Sequence, residues 1–364
     1  MKAAILQTPG QLDLVDLVID KPAAHEVLIR VVGSGLCHSD LHAIDAQVPN
    51  RPIIVPGHEA SGIVEQVGSE VTYVQPGDHV ITFLVQFCGE CEYCLGGRPT
   101  ICATPVGARK PDAAATAPNP RLTYQGKPVG QFANLGAFAE QMLVHEHAVA
   151  KIDRDYPMDR AAIIGCGVCT GLGSVLKSAA VRPGSTVAVV GGGGVGLSAV
   201  QGARIAGARR IILVDIQPEK FDLARKAGAT DCVDPGQGDP VQQIKDLTGG
   251  GVDYSFECLG LKATCEQSVQ MLRPGGVATI IGLGGDFSVG ATFLLRGERR
   301  VQGAFMGSNN FRADMPKYMD LDRQGRLDIG SLIESHIALA DINAGYEAMR
   351  QRQIQGRRVI MFPQ

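Results

Sequence analysis

The sequence has no excess of basic residues, and this lack limits the kinds of partner it can have. Its 364 residues include 34 Lys and Arg against 37 Asp and Glu, which gives a formal net charge of -3. Because nucleic acids are held mainly by basic side chains that neutralise phosphates, this composition argues against a nucleic acid as the main partner.

Long uninterrupted apolar runs are also lacking. The run that begins at residue 3 is broken by Thr8, Pro9 and Gly10, so no secretory signal peptide is expected. The stretch 181–197 comes nearest to the roughly 18 apolar residues of a membrane span, but Arg182, Pro183 and a glycine run interrupt it. We therefore expect a cytoplasmic protein with no membrane partner.

Cysteine, in contrast, is plentiful and unevenly placed. Four of the ten cysteines fall within fifteen residues, with the spacing C-x2-C-x2-C-x7-C: Cys88, Cys91, Cys94 and Cys102. Two-residue gaps let successive thiolates face one point, and four thiolates close a tetrahedron with no open position. This pattern predicts a structural zinc site in a reducing compartment. An iron–sulfur cluster is the chemical alternative, since some clusters use the same C-x2-C-x2-C spacing.

The two parts of the chain differ in their predicted pattern of strands and helices. Residues 1–150 are rich in short strand-like runs such as 26–32 and 79–83, bounded by Gly and Pro. The polar, proline-rich stretch 107–130 is expected to be a long loop. From about residue 168, apolar strands at 186–190, 211–214, 254–257 and 277–281 alternate with helical segments at 196–206 and 219–227. This alternation predicts an α/β fold with a doubly wound parallel Rossmann sheet.

A glycine-rich loop follows the strand at 186–190. It contains G-x-G-x-x-G as Gly191, Gly193 and Gly196, with Gly194 and Val195 inside it, and Asp215 follows nineteen residues after Gly196. Glycines permit a tight turn and close approach to a pyrophosphate, and the next helix presents its amide groups. A carboxylate at Asp215 would accept from ribose hydroxyls and repel a 2′-phosphate, which favours NAD. Lys220 either reaches the same ribose or is a solvated helix lysine.

A second set of metal-binding residue types is scattered along the chain. Cys37, His58 and Cys166 would hold a zinc with one position open, where it would act as a Lewis acid. Spacing alone leaves this undecided, because a single Cys is usually a buried apolar residue and a single His an ordinary polar one.

Three side chains near Cys37 have further chemistry. Ser39 and His42 suit a proton relay, or are simply hydrogen-bonded within a loop. Asp40 could orient a liganding histidine, although on sequence alone a helix cap or turn residue is the preferred interpretation.

Together these features resemble the zinc-containing medium-chain alcohol dehydrogenase family over nearly the whole chain. Three segments carry the resemblance: 57–62 continuing to 68–71, the four-cysteine segment 88–102, and 166–171. The four cysteines of 88–102 are called the cysteine ladder below. The resemblance implies a β-rich, GroES-like catalytic domain at 1–167 and 305–364, and an NAD-binding Rossmann domain at 168–304. It also implies two zinc ions per subunit, with a catalytic zinc on Cys37, His58 and Cys166.

The resemblance extends to further site residues. It implies that Glu59 lies behind the catalytic metal as an occasional ligand and that Thr170 lies near the nicotinamide. Arg357 matches the cofactor-phosphate arginine, with Arg358 as the neighbouring alternative. The length of 107–130 is similar to the dimeric branch, so a homodimer is expected over a tetramer.

The sequence departs from the family pattern in three places. His38 stands where many members have an arginine on the pyrophosphate, which predicts looser NAD binding. The segment 46–50 lacks the acidic residue of the glutathione-dependent branch, which argues against S-(hydroxymethyl)glutathione as substrate. Leu84 occupies an often aromatic pocket position, so a bulky or benzylic alcohol would fit.

The expected activity is reversible hydride transfer from a primary or secondary alcohol, bulky or benzylic alcohols included, to NAD, giving an aldehyde or ketone. A zinc-dependent dehydrogenase of polyols or other substrates is the alternative within enzymes. A non-catalytic NAD-binding redox sensor is the alternative of another class. The presence of Cys37, His58 and Cys166 together with Ser39 counts against the sensor.

Overall fold

The computed structural model describes residues 1–109 and 120–363, and the chain divides into two compact units. The first comprises Met1–Cys166, Asn310–Met319 and Ile333–Gln364, and the second comprises Gly167–Asn309 and Asp320–Leu332. The division at 166/167 lies one residue from the boundary expected from the sequence. The second division differs from 304/305, because Asn309 donates to the carbonyl of Cys169 and Gln201 donates to that of Asp328. These contacts assign 305–309 and 320–332 to the second unit.

The described residues form nineteen strands and eleven α-helices. The strands are β1 (Lys2–Thr8), β2 (Gln11–Asp16), β3 (Val18–Ile19), β4 (Glu26–Gly35), β5 (Ile54–Val55), β6 (Ala60–Val67), β7 (His79–Thr82), β8 (Leu122–Tyr124), β9 (Lys127–Gln131), β10 (Gln141–His145), β11 (Val149–Ile152), β12 (Thr186–Val190), β13 (Arg210–Val214), β14 (Asp231–Val233), β15 (Val252–Glu257), β16 (Leu272–Ile280), β17 (Arg300–Gly303), β18 (Ile333–Ile337) and β19 (Arg357–Met361). The helices are α1 (His38–Asp45), α2 (Glu92–Leu95), α3 (Met158–Ile163), α4 (Cys169–Gly173), α5 (Gly194–Ile205), α6 (Phe221–Ala227), α7 (Pro240–Thr248), α8 (Lys262–Gln270), α9 (Ala291–Gly297), α10 (Phe311–Arg323) and α11 (Ile342–Arg350).

Two sheets build the first unit. One has the order β2-β1-β5-β9-β8-β3, and the other has the order β11-β7-β6-β4-β19-β18, with β10 also paired to β4. Strand β4 is central, since it pairs with β6, β10 and β19, and nine of its ten residues are buried. Strand β4 is thereby held on both of its edges, and this fixes the position of the residues that follow it.

The stretch expected to be one long loop contains a hairpin instead. Leu122 pairs with Val129 across the antiparallel strands β8 and β9, and the turn is made at Gln125 and Gly126, both with positive φ. The prediction of a loop over the whole of 107–130 was therefore wrong for its last third. The reason is tertiary: β9 also pairs with β5, and this pairing stabilises a proline-containing strand that local composition disfavours. The rest of that prediction falls partly on 110–119, outside the described residues.

The second unit contains one parallel sheet with the order β14-β13-β12-β15-β16-β17. From β12 the chain adds β13 and β14 on one side, and it then returns to add β15, β16 and β17 on the other side. The direction in which strands are added therefore reverses between β12 and β15. All five residues of β12 are buried, as is typical of a strand covered on both faces. In such sheets, ligands bind beyond the carboxyl ends of the strands at the reversal, which is where the glycine loop follows β12.

One helical stretch in the described residues, 158–178, is long and apolar enough to cross a membrane by composition. Its most apolar window is 83% buried inside the fold. Burial of this extent is typical of a core helix.

Candidate active site

Cys37, His58 and Cys166 come together in the first unit, with Glu59 beside them. Their sulfur, nitrogen and carboxylate oxygen atoms all lie within 4.8 Å of one another, and all four residues are buried. Nε2 of His58 is 3.3 Å from Sγ of Cys166. Two thiolates and one imidazole form the donor set that holds a catalytic zinc with an open position, so the residues fit the predicted metal.

The local structure explains how these residues meet. Cys37 follows the end of β4 and precedes the first turn of α1, and His58 lies in the turn between β5 and β6. Cys166 lies in a wide helical turn at Ile164–Val168. Gly57 has a φ of +93°, and a Cβ there would collide with Phe138. The turn that presents His58 therefore requires glycine.

Asp40 contacts His58 on the side of the ring away from the cysteines. Its Oδ1 lies 3.0 Å from Nδ1 of His58 and also accepts a hydrogen bond of 2.9 Å from the amide of Gly57. Asp40 is buried inside the first turn of α1, and Cys37 rather than Asp40 is the cap residue. The preferred sequence interpretation of Asp40 as a cap or turn residue was wrong. With Nδ1 engaged, Nε2 of His58 faces the cysteines.

Arg357 lies against the carboxylate of Glu59, and both side chains are buried. The structure thus shows a partner for Arg357 that the sequence did not indicate. Contact of Arg357 with a cofactor phosphate stays a prediction, as does metal ligation by Glu59. The neighbouring Arg358 is partly buried, and its Nε has no hydrogen-bond partner among the described residues.

The electrostatics of this cluster also suit a cation. A hydrogen bond with Cys166 lowers the pKa of Cys37 well below its ordinary value. Burial raises the pKa of Glu59 to about 7, against the opposing effect of Arg357. Within the described residues, Oδ2 of Asp40 has no hydrogen-bond partner, and the carboxylate of Glu59 is paired with the guanidinium of Arg357. Buried acceptors without donors and adjacent thiolates are stabilised by a bound metal ion.

The residues of the predicted proton relay lie on α1, immediately after Cys37. Ser39 is half-buried, whereas His38 and His42 are exposed. No hydrogen bond joins Ser39 to His42 in the part of the chain that the structure describes. Their relay role, and the role of His38 at the pyrophosphate, remain predictions.

The cysteine ladder forms a second cluster around α2 and the short helix Pro99–Ile101. The ligand atoms of Cys88, Cys91, Cys94 and Cys102 lie within 4.8 Å of one another, and Sγ of Cys102 is 3.5 Å from Sγ of Cys88. Hydrogen bonds with Thr104 and nearby amides lower the pKa of Cys88 to about 6, whereas burial and neighbouring thiols raise the pKa of Cys94 to about 12. Four thiolates this close need a dication, so the donor set fits a closed zinc site.

The glycine loop joins β12 to α5 in the second unit. Gly191 has a φ of +97°, and a Cβ at Gly196 would overlap the carbonyl oxygen of Gly191. The cap residue is Gly193, which has no side chain that could accept from the first amides of this twelve-residue helix. Gly194 and Val195 form its first turn. This arrangement can hold a phosphate group.

Asp215 lies at the end of β13, beside that loop. Its Oδ2 accepts a hydrogen bond of 2.6 Å from the amide of Gly192, and its Oδ1 accepts one of 2.9 Å from Gln217. Nζ of Lys220 is 3.6 Å from Oδ2 of Asp215. The carboxylate is therefore fixed against the loop, and Lys220 lies next to it rather than out in solvent.

Thr170 is buried in α4, and its hydroxyl lies 3.7 Å from Sδ of Met306.

Two residues near the first cluster, which consists of Cys37, His58, Glu59 and Cys166, were missed by the sequence analysis. The ring of Phe132 packs edge-on at 5.7 Å from that of His58, and Tyr346 is fully buried against Phe138. Neither carries a motif. Only the aromatic character of Phe132 just after the long polar stretch could have drawn attention to it.

Comparison with known proteins agrees with this geometry. Residues 23–154 match the family described as alcohol dehydrogenase GroES-like domain, and residues 194–322 match zinc-binding dehydrogenase. An S-(hydroxymethyl)glutathione dehydrogenase of Escherichia coli O6:H1 is 35% identical over 96% of both chains. Alcohol dehydrogenase class-3 of Pisum sativum is 37% identical over 97% of this chain and 95% of its own.

Two solved structures are similar over the full length of the chain. An alcohol dehydrogenase zinc-binding domain protein of Burkholderia ambifaria has a TM-score of 0.92 at 34% identity, with 100% and 99% of the chains covered. Benzyl alcohol dehydrogenase of Acinetobacter calcoaceticus has a TM-score of 0.91 at 33% identity and the same coverage. The chain belongs to the zinc-containing medium-chain alcohol dehydrogenase family, which is a family of oxidoreductases. The predicted fold class and the prediction of a zinc-dependent alcohol dehydrogenase are confirmed at this level.

Proposed function

We propose that the protein is an NAD-dependent dehydrogenase of alcohols with an apolar, bulky side, benzylic alcohols being the leading candidates. The observation that carries the proposal is the buried cluster of Cys37, His58 and Cys166, with Asp40 behind His58. Leu84, at an often aromatic family position, is partly buried against the apolar core. Similarity to a benzyl alcohol dehydrogenase supports the same substrate class.

In the proposed reaction the alcohol loses a proton from oxygen and a hydride from carbon, and an aldehyde or ketone, NADH and a proton are formed. Zinc, when bound to Cys37, His58 and Cys166, supplies a Lewis acid that lowers the pKa of the alcohol hydroxyl. Asp40 keeps the imidazole of His58 in its liganding tautomer. Ser39 would accept the hydroxyl proton, and His42 would pass it to solvent.

The residues of the second unit bind the coenzyme in this proposal. The amides at the start of α5 hold the pyrophosphate, and Asp215 accepts from the adenosine ribose. Thr170 would lie near the nicotinamide, which accepts the hydride when NAD is bound. The cysteine ladder holds the second zinc of each subunit and takes no part in the reaction.

S-(hydroxymethyl)glutathione is the substrate named for several relatives, and we propose that it is a poor substrate here. The segment 46–50 contains no acidic residue, whereas the glutathione-dependent branch carries one there. We further propose a homodimer, twice the 38.4 kDa of one chain, on the similarity of 107–130 to the dimeric branch. A reducing cytoplasm is the proposed location, since both clusters need free thiols, and none of the ten cysteines forms a disulfide.

The decisive experiment is NADH formation across primary, secondary, allylic and benzylic alcohols, polyols and S-(hydroxymethyl)glutathione. It is repeated after chelation and after zinc is restored. We expect the highest kcat/KM with benzylic alcohols and loss of activity with loss of the first-cluster metal. Activity that survives loss of that metal would overturn the mechanism. A preference for polyols or for the glutathione adduct would overturn the substrate class alone.

A further inference from the structure

The second unit has a cavity at the edge of its sheet opposite the glycine loop. It has a volume of about 360 Å³ and is formed by the turn 182–185, the first part of β16 at 273–275 and residues at the amino ends of β15 and β17. Cavities of roughly 300–1,000 Å³ are typical of small-molecule sites. Among its lining residues are Arg182, Arg209, Arg273, Arg300, Asp253 and Tyr254.

Four guanidinium groups line this cavity against one carboxylate. Arg273 pairs with Asp253, whose other oxygen accepts a hydrogen bond of 2.8 Å from the amide of Thr186. In the described part of the chain, no hydrogen bond or ion pair engages the side chains of Arg182, Arg209 or Arg300. All three are exposed and therefore accessible to a ligand. The cavity thus carries an excess of three positive charges in a chain whose net charge is -3.

The arginines that adjoin Arg209 and Arg300 in the sequence do have protein partners. Arg210, next to Arg209, donates to the carboxylate of Asp231 at 2.9 Å. Arg299, next to Arg300, donates to the carbonyls of Leu272 and Phe293. Each of these two arginines stabilises the fold, whereas the side chain beside it in sequence faces the cavity without a protein partner.

The cavity is separate from the predicted coenzyme site. The glycine loop follows the carboxyl end of β12, whereas Ser185 in the cavity precedes the amino end of the same strand. A five-residue strand spans roughly 16 Å at about 3.3 Å per residue. One bound pyrophosphate group therefore cannot contact both places.

We propose that this cavity binds a small polyanion that carries two or more phosphate or carboxylate groups. Guanidinium groups form paired, charge-assisted hydrogen bonds with both kinds of anion. One anionic group satisfies one or two arginines, so three free guanidiniums call for at least two such groups. A ligand there links the turn at 182–185, the first part of β16 and β17, and so stabilises the second unit against unfolding. Because the arginines are exposed, the affinity falls as ionic strength rises.

Isothermal titration calorimetry with inorganic pyrophosphate and tripolyphosphate tests this proposal, at low ionic strength with and without saturating NAD⁺. The test variant is Arg209→Gln with Arg300→Gln, and the matched control is Arg296→Gln, an exposed arginine outside the cavity. We expect affinity to fall at least about tenfold in the double variant, which corresponds to the loss of one charge-assisted contact or more. The wild type, the Arg296→Gln control and the wild type with NAD⁺ should bind equally well.

Two results would overturn the proposal. One is equal affinity of the wild type and the double variant, and the other is complete competition by NAD⁺, which would assign the anion to the glycine loop. Melting temperatures of both variants without ligand show whether the fold is intact. Since all the substituted side chains are exposed and lack protein partners in the described structure, we expect those temperatures to be unchanged.

Discussion

The carboxylate of Asp40 lies 3.0 Å from Nδ1 of His58, and both side chains are buried. This pair links α1, which also begins beside Cys37, to the turn that presents the histidine. Asp40, three residues after Cys37, thus contacts a histidine that lies eighteen residues further on. The contact makes the geometry of the first cluster depend on a residue outside the ligand set.

Substitution Asp40→Asn tests this dependence. The amide keeps the size of the side chain but removes the charge that favours the liganding tautomer of His58. We expect zinc affinity at the first cluster to fall roughly 10- to 100-fold. The measurement is zinc retained per chain against graded chelator, with activity followed in parallel. Asp45→Asn is the matched control, since Asp45 is exposed on the same helix and pairs with Arg350. Equal zinc retention in the two variants would contradict the role of Asp40.

Substitution Cys94→Ser tests the cysteine ladder. We expect zinc to fall from about two to about one per chain, because the remaining three thiolates no longer close the site. The melting temperature should fall by roughly 5 °C or more as the metal no longer stabilises this lobe. Cys232→Ser is the control, because Cys232 lies outside both clusters. A ladder variant that keeps two zinc ions and the wild-type melting temperature would exclude a structural metal there.

Substitution Asp215→Asn tests coenzyme choice. The change removes one of the two acceptor oxygens for the ribose and the charge that repels a 2′-phosphate, so kcat/KM should fall for NAD and rise for NADP. We expect the ratio of the two to shift by roughly 10- to 100-fold. Asp222→Asn is the control, since that side chain is exposed on α6 and pairs with Arg225 of the same helix. An unchanged ratio in Asp215→Asn would remove Asp215 from the coenzyme site.

Substitution Glu26→Gln tests a buried charge network. Glu26 accepts hydrogen bonds from Arg109 and Arg121, both of which are largely buried. Loss of its charge leaves Arg121 without an anionic partner and Arg109 with Asp20 alone, and we expect the free energy of unfolding to fall by roughly 3–5 kcal/mol. Urea denaturation measures it. Asp16→Asn, in an exposed pair with Lys2, should change stability by less than about 1 kcal/mol. Similar losses in the two variants would show that the network contributes no more than a surface pair.

His145 provides a pH-dependent prediction. Burial lowers its pKa to about 4, with His147 and His25 adding repulsion, and its Nδ1 accepts a hydrogen bond of 3.0 Å from the amide of His147. Between an ordinary pKa near 6.5 and the lowered one, the unfolded chain binds a proton that the folded chain does not. Stability is therefore complete above about pH 6.5 and falls as the pH is lowered towards 4.

Substitution His145→Asn removes the titrating ring but keeps an acceptor for the amide of His147. Urea unfolding at several pH values should show a smaller loss of stability between pH 6.5 and 4 than in the wild type, by on the order of 2 kcal/mol. Above pH 7, the free energy of unfolding should depend on pH in nearly the same way in the two proteins. Parallel curves throughout the acid range would mean that His145 does not cause the loss.

The sequence allowed both metal sites to be proposed, but to different degrees. The cysteine ladder is local, so its spacing alone predicted four converging thiolates, and the structure shows them together. Cys37 and Cys166 are separated by 129 positions, and only the family resemblance brought them into one hypothesis. For Asp40 the sequence left two interpretations, a helix cap and the orientation of a liganding histidine, because a short acidic side chain near a helix start is usually a cap and its partner His58 lies in another turn.

What the sequence by itself determined is the local chemistry: the four-cysteine spacing, the buried strand with its glycine loop, and Asp215 at the end of the next strand. These depend on residue types at short separations, where backbone geometry leaves few arrangements. Only the tertiary structure decided which distant side chains meet. It placed Arg357 against Glu59, paired β9 with β5, and gathered arginines from four separate segments around one cavity. Such contacts arise from sheet order and burial, which no short stretch of sequence encodes.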